Sequence, residues 1–202
     1  TFKVDEEFLK TNGLKNKNEL LEKLEKNLSY QYEQGIKQIE KKELMDKLES
    51  EHKFDLPQGI LDEEFHEIWH RLEHAKKDDK LDEDDKNLSD DQLKNRYKKI
   101  ANRRVKLAIL LQYIAKEEKI NVSEKELSEG MVQYASRYPG QENKIIEYFK
   151  TNPSSIESIR GPILEEKVIE SILSKANNKL NKINIKNYKK IEEKTFKITK
   201  DK

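Results

Sequence analysis

The sequence predicts an all-α protein, and three observations carry that prediction. Apolar residues recur at steps of three and four over most of the chain, two candidate helices open with capping boxes, and only six glycines and four prolines punctuate 202 residues. Charged residues make up 40% and apolar ones 34%, against a usual charged share of about 25%. So little apolar material predicts an elongated, surface-heavy multi-helix body, or some disorder, rather than one compact sphere.

Taken in order, VDEEFLKTNGL predicts a short helix ending at Gly13. From about Lys17 to His52, Leu20, Leu24, Leu28, Tyr32, Ile36 and Ile39 mark one face of a long helix interrupted only by Gly35. Their spacing lacks the strict three-four alternation of a coiled coil. In FDLPQGILDEEF, Pro57 stops the incoming helix and suits the first turn of the next. The run KKDDKLDEDDKNLSDD has almost nothing to bury and reads as a solvated loop.

Ser89 with Gln92 opens a third long helix, to about Lys119. Its middle, Val105 to Ala115, is apolar almost all round and predicts the central core element. Ser123 with Glu126 starts a helix bearing Leu127, Met131, Tyr134 and Tyr138, ended by Pro139-Gly140. A shorter helix carries Ile145, Ile146, Tyr148 and Phe149. After Asn152-Pro153 the last one presents Ile156, Ile159, Leu164, Val168, Ile172 and Leu173, with a kink expected at Gly161-Pro162. This divides the chain into a helical domain over residues 1–177 and a Lys/Asn-rich tail over 178–202, where the alternation in KINIK and TFKIT reads either as a short strand pair or as disorder.

Charge and composition exclude several functions. The net charge is +1, with the tail carrying +6 and the rest −5, which argues against specific nucleic-acid binding. The tail lysines, with Tyr188 and Phe196 among them, are read as a solubilising end rather than an anion-binding one. Without cysteine there is no disulfide framework and no thiolate metal site. No apolar run approaches the roughly 20 residues that span a bilayer, and TFKVDEEF lacks the order of a signal peptide. These features predict a soluble, cytoplasmic protein without a membrane partner, and the start at Thr1 without an initiator Met points to a piece of something longer.

His66, His70 and His74 lie four residues apart, a spacing by which helices hold zinc. With Leu61 as zero, they fall at about 140°, 180° and 220°, opposite the stripe of Leu61, Phe65, Ile68, Trp69 and Leu72. A face without second-shell partners or shielding from water predicts solvation rather than a tuned metal centre, so neither metal nor cofactor is expected. There is no cysteine nucleophile, no G-x-S-x-G elbow and no Gly-rich phosphate loop, so no catalytic residue is assigned. The stripe of Leu127, Met131, Tyr134 and Tyr138 suits burial against the central helix; part of it also suits a groove for an apolar partner, because Met adapts and Tyr is broad.

Several stretches together resemble the C-terminal region of trigger factor, the ribosome-associated bacterial chaperone. FDLPQGILDEEF resembles that family's helix start after a Phe-Asp-apolar-Pro junction, and RRVKLAILLQYIAKEEKINVSEKEL its arginine-led core helix, polar link and next helix. IIEYFKTNPSSIESIRGPILEEKVIESILSKA is the strongest match, and VDEEFLKTNGL resembles the acidic segment leaving the isomerase domain. The similarity runs from about Val4 to Ala176; Pro162 departs from the pattern, and the Lys-rich end has no counterpart.

This resemblance implies an all-helical body with two protruding arms that holds unfolded or nascent polypeptides without ATP. The candidate client-binding residues are Met131, Tyr134, Tyr138, Ile36 and Ile39. The family's Gly-Phe-Arg-x-Gly-Lys ribosome-docking loop and its FKBP-like prolyl isomerase domain do not occur in this sequence. Ribosome contact would therefore come only through a region absent here, this chain would not itself be an enzyme, and self-association stays open. The competing reading is an elongated helical scaffold without clients, which sustained heptads would favour and Leu20 to Ile39 does not supply.

Overall fold

The computed structural model describes residues 5–177 and 181–196. Every regular element among them is a helix: α1 (Glu6–Thr11), α2 (Lys17–Glu51), α3 (Gln58–Lys77), α4 (Glu83–Lys86), α5 (Asp90–Glu117), α6 (Glu124–Ala135), α7 (Glu142–Thr151), α8 (Pro153–Lys175) and α9 (Ile185–Phe196). They form two compact units, one from Thr1–Leu44 with Leu180–Lys202 and the other from Met45–Lys179.

In the first unit, the Asp5 carboxylate caps α1 by accepting from the Phe8 amide at 2.9 Å. Gly13, at φ +65°, turns the chain out of the helix, so that the Leu14 amide returns to the Leu9 carbonyl at 2.8 Å and both leucines are buried. Gly35 does not break α2, and its reason lies in the tail. A Cβ there would run into the Tyr188 hydroxyl. Tyr188 is buried, meets Tyr32 edge-on at 5.0 Å and donates to Glu192 at 2.9 Å.

The strand pair expected around KINIK and TFKIT is corrected accordingly, since Ile185–Phe196 is helical. Helical spacing stacks Tyr188 and Glu192 one turn apart, where they share a hydrogen bond. Along a strand the same two residues would stand about 13 Å apart. The end of TFKIT, residues 197–199, lies outside the described residues.

In the second unit, α5 is the central element, burying Leu93, Ala101, Val105, Leu107, Leu110, Leu111 and Ala115. Its capping box forms as read: the Ser89 hydroxyl accepts from the Gln92 amide, and the Gln92 side chain accepts from the Ser89 amide at 2.9 Å. Around it lie the buried Ile68 and Leu72 of α3 and Ile159, Val168 and Ile169 of α8. Arg103 pairs with Asp46 at 2.6 Å and with Glu49, while Lys106 donates to the Glu49 carbonyl at 2.6 Å, fixing the end of α2 on α5. His66, His70 and His74 are all exposed, on the face opposite the buried residues of α3.

Two expectations need correction here. The acidic run after α3 is not wholly solvated, because Asp85 in α4 is only 2% exposed. Tyr97 donates to its Oδ2 at 2.5 Å and Arg96 lies 2.8 Å from its Oδ1. One hydrogen bond and one ion pair from α5 thus stand in for the water the carboxylate gives up, while Oδ1 itself accepts no hydrogen bond. In return, burial first and the hydrogen bond to Asp85 second push the Tyr97 hydroxyl up to about 12.

The second correction concerns α6, which stops at Ala135, short of Pro139-Gly140. There the Ser136 hydroxyl turns back to the Gln133 carbonyl at 2.8 Å and the Tyr138 amide bonds Ala135 at 2.9 Å, tightening the last turn. The helix α8 runs from Pro153 to Lys175 with Pro162 inside it.

Candidate functional site

The side chains that sequence reading singled out on α6 meet α7 in the second unit. Tyr134, half-buried, packs edge-on against Phe149 at 5.4 Å and beside Tyr138 at 5.8 Å. Phe149 is buried at 4% exposure and also meets Tyr148 at 5.8 Å. Tyr138 and Tyr148 remain 45% and 55% exposed. Phe149 thus anchors a cluster whose outer two rings face solvent. An Arg137 guanidinium stands 5.8 Å from the Tyr134 ring centre, and Ser155 at the start of α8 donates to the Tyr148 hydroxyl at 3.2 Å. Hydrogen bonding with Tyr138, and then the charge Tyr138 can carry, raises the Tyr134 pKa above the ordinary tyrosine value.

Met131 is half-buried on the same side of α6. Tyr138 lies just past the helix end rather than on it. The two candidates in the first unit part company: Ile36 is 44% exposed, whereas Ile39 is 7% exposed. Ile39 is therefore a core residue with no surface to offer a partner, although the stripe in the sequence grouped the two. Tyr148 escaped singling out because Ile145, Ile146, Tyr148 and Phe149 read as one stripe; a helical turn of about 100° per residue separates the exposed Tyr148 from the buried Phe149. Val132, 55% exposed, was missed for the converse reason, since it lies off the stripe. A second apolar hollow is lined by Met45, Ile60, Leu107, Ala108 and Leu111, with Ile60 half exposed at its edge.

The cluster is held in place from beneath. Gly130 lets α6 approach α8 closely, a Cβ there falling 2.9 Å from both Ile159 and Ile163. Glu126 links the same helices: it closes the Ser123 capping box, accepting from the Ser123 amide at 2.7 Å, and accepts from Lys167 of α8 at 2.6 Å. The Lys167 hydrogen bond, followed by those of Ser123, lowers Glu126 from 4.5 to about 2. A depressed folded-state pKa means this stabilisation is present above about 4.5 and is lost as pH falls from there towards 2. Glu126→Gln should therefore flatten the acid limb of stability within that window, as measured by urea unfolding at stepped pH; an unchanged slope would remove Glu126 as its source.

Among the described residues no three or more His, Asp or Glu side chains gather as a cation site. No described helix is long and apolar enough to cross a membrane. Fold and surface together define a class: an all-helical module that carries aromatic side chains outward on a buried anchor.

Residues 18–174 match the model of the bacterial trigger factor protein C-terminus, and the chain belongs to that family. It is 42% identical over 174 residues to the trigger factor of Maricaulis maris, an alignment covering 86% of this chain and 34% of the relative. It is 48% identical over 101 residues to that of Granulibacter bethesdensis (50% and 23%) and 46% identical over 97 residues to that of Gluconobacter oxydans (48% and 22%). The chain thus spans about a third of the first relative's length and less of the others.

Proposed function

We propose that this chain is the client-holding part of a trigger-factor-type chaperone, covering apolar segments of unfolded or nascent polypeptides without ATP, in the cytoplasm. The observation that carries this reading is the pair of half-exposed rings, Tyr148 packed directly on buried Phe149 and Tyr138 joined to it through Tyr134. Met131, Tyr134 and Ile36 belong to the same proposal, and Ile39 drops out of it. A holdase must cover exposed apolar side chains without choosing a sequence. Shallow contacts worth about 25 cal/mol per Å2 of apolar area do this, each releasing separately while the sum adds avidity. The high charge of the remaining surface keeps a loaded complex in solution. Ribosome contact and prolyl isomerisation are assigned, on the same reading, to parts of the longer relatives outside this chain.

Light scattering from a chemically denatured model protein tests the proposal. The chain should suppress aggregation at near-stoichiometric ratio without nucleotide, and aggregation equal to that without the chain would sink it. Tyr138→Asp with Tyr148→Asp should weaken client binding by about 1–2 kcal/mol, roughly tenfold in Kd. Its thermal midpoint should fall only slightly, because both rings are already about half exposed. Full protection by this double variant would place the client elsewhere.

A further inference from the structure

The histidine face of α3 has a geometry that its exposure does not explain. His70 and His74 stand with ring centres 4.6 Å apart and planes at 72°. Among the described residues, neither ring has a hydrogen-bond or ion-pair partner, and His66, one turn earlier, makes no such ring contact. An imidazole nitrogen binds a first-row divalent ion at about 2.1 Å, and its ring centre lies roughly 1.2 Å further along that line. Two imidazoles at right angles on one ion therefore have centres about 4.6 Å apart, whereas the tetrahedral angle would separate them by about 5.3 Å. The observed 4.6 Å, an edge-to-face ring contact, equals the spacing of adjacent corners of a square or octahedron. It suits a tetragonal ion better than zinc, and copper(II) also binds nitrogen ligands most strongly in the first-row order.

We propose that His70 and His74 form a two-point chelate for copper(II), the remaining positions being filled by water. The i, i+4 spacing supplies the second ligand at high effective concentration once the first has bound, and no change of fold is required. This is a site of capture on an open face, distinct from the shielded metal centre that the sequence argued against. It is also independent of the client surface on α6 and α7.

Trp69, the chain's one tryptophan, lies beside His70 in sequence, donates to Glu73 at 2.9 Å and serves as the probe, because bound copper(II) quenches nearby indole emission. Copper(II) chloride titrated into the whole chain in a non-coordinating buffer should give saturable quenching at one ion per chain. His70→Gln and His74→Gln should each weaken the apparent affinity at least about tenfold by leaving a single ligand. His66→Gln and His52→Gln should leave it unchanged, and circular dichroism should be the same for all four. Quenching that does not saturate, or that survives His74→Gln with the same midpoint, overturns the proposal. Equal loss in His66→Gln overturns it too, because the ion would then sit one turn earlier.

Discussion

Gly130→Val is expected to lower stability by about 2–3 kcal/mol, the cost of forcing side-chain volume into a packed interface. At Gly130 the α6 backbone lies so close to α8 that even a methyl group falls 2.9 Å from Ile159 Cγ2 and Ile163 Cδ1. Ile159 is 6% exposed and its Cγ2 sits on a stiff β-branched carbon, so it has nowhere to retreat. Ile163 Cδ1 is a terminal methyl and can turn away. Gly130→Ala should still lose about 1 kcal/mol, because the roughly 1 kcal/mol of helix propensity that alanine gains over glycine offsets only part of the clash with Ile159. Valine adds two further methyls to the same gap. Ile163→Val, which deletes Cδ1, should recover part of the loss in the valine variant. Urea unfolding followed by circular dichroism measures all three. A valine variant as stable as the alanine one would mean that α6 can slide on α8, and the support assigned to the tyrosine cluster would go with it.

Asp85→Ala is expected to cost as much, about 3 kcal/mol. Removing one partner of a buried ion pair costs about 3–5 kcal/mol when the other is stranded. Here Arg96 keeps 29% of its side-chain surface in solvent and can turn outward, so the cost falls at the lower end. The Tyr97 hydroxyl, which loses its acceptor, cannot leave as easily. Asp85→Asn retains an oxygen at the site and should lose less than half as much. The measurement is again the unfolding free energy at neutral pH. Equal values for the alanine variant and the parent chain would show that α4 contributes nothing to the second unit.

These two positions also mark where the sequence was and was not legible. Capping boxes at Ser89 and Ser123 could be read because donor and acceptor lie three residues apart on one strand of chain. The outward histidine face was legible for a related reason: the apolar stripe of α3 is continuous, and its opposite follows by rotation. Asp85 was not, because in a run of alternating Lys and Asp nothing local distinguishes it. Its burial is decided by Arg96 and Tyr97, which arrive from α5. Tyr138 shows the same limit at a boundary, its grouping with Tyr134 surviving by ring contact although the helix ends first. For Ile36 and Ile39, equivalent in pattern, only the packed structure separates a surface residue from a core one.

The glycine notch in α2 ties the order of synthesis to the order of folding. Tyr32 and Gly35 are translated before the second unit, while the ring that fills their notch, Tyr188, emerges after the whole of it. Until then the notch is bare, and a growing chain stalled anywhere before residue 188 carries it open. Closing so long a span costs about 4–5 kcal/mol in chain entropy when the intervening residues are unstructured. The first unit is therefore a late-closing clasp, completed only after the second unit has been made.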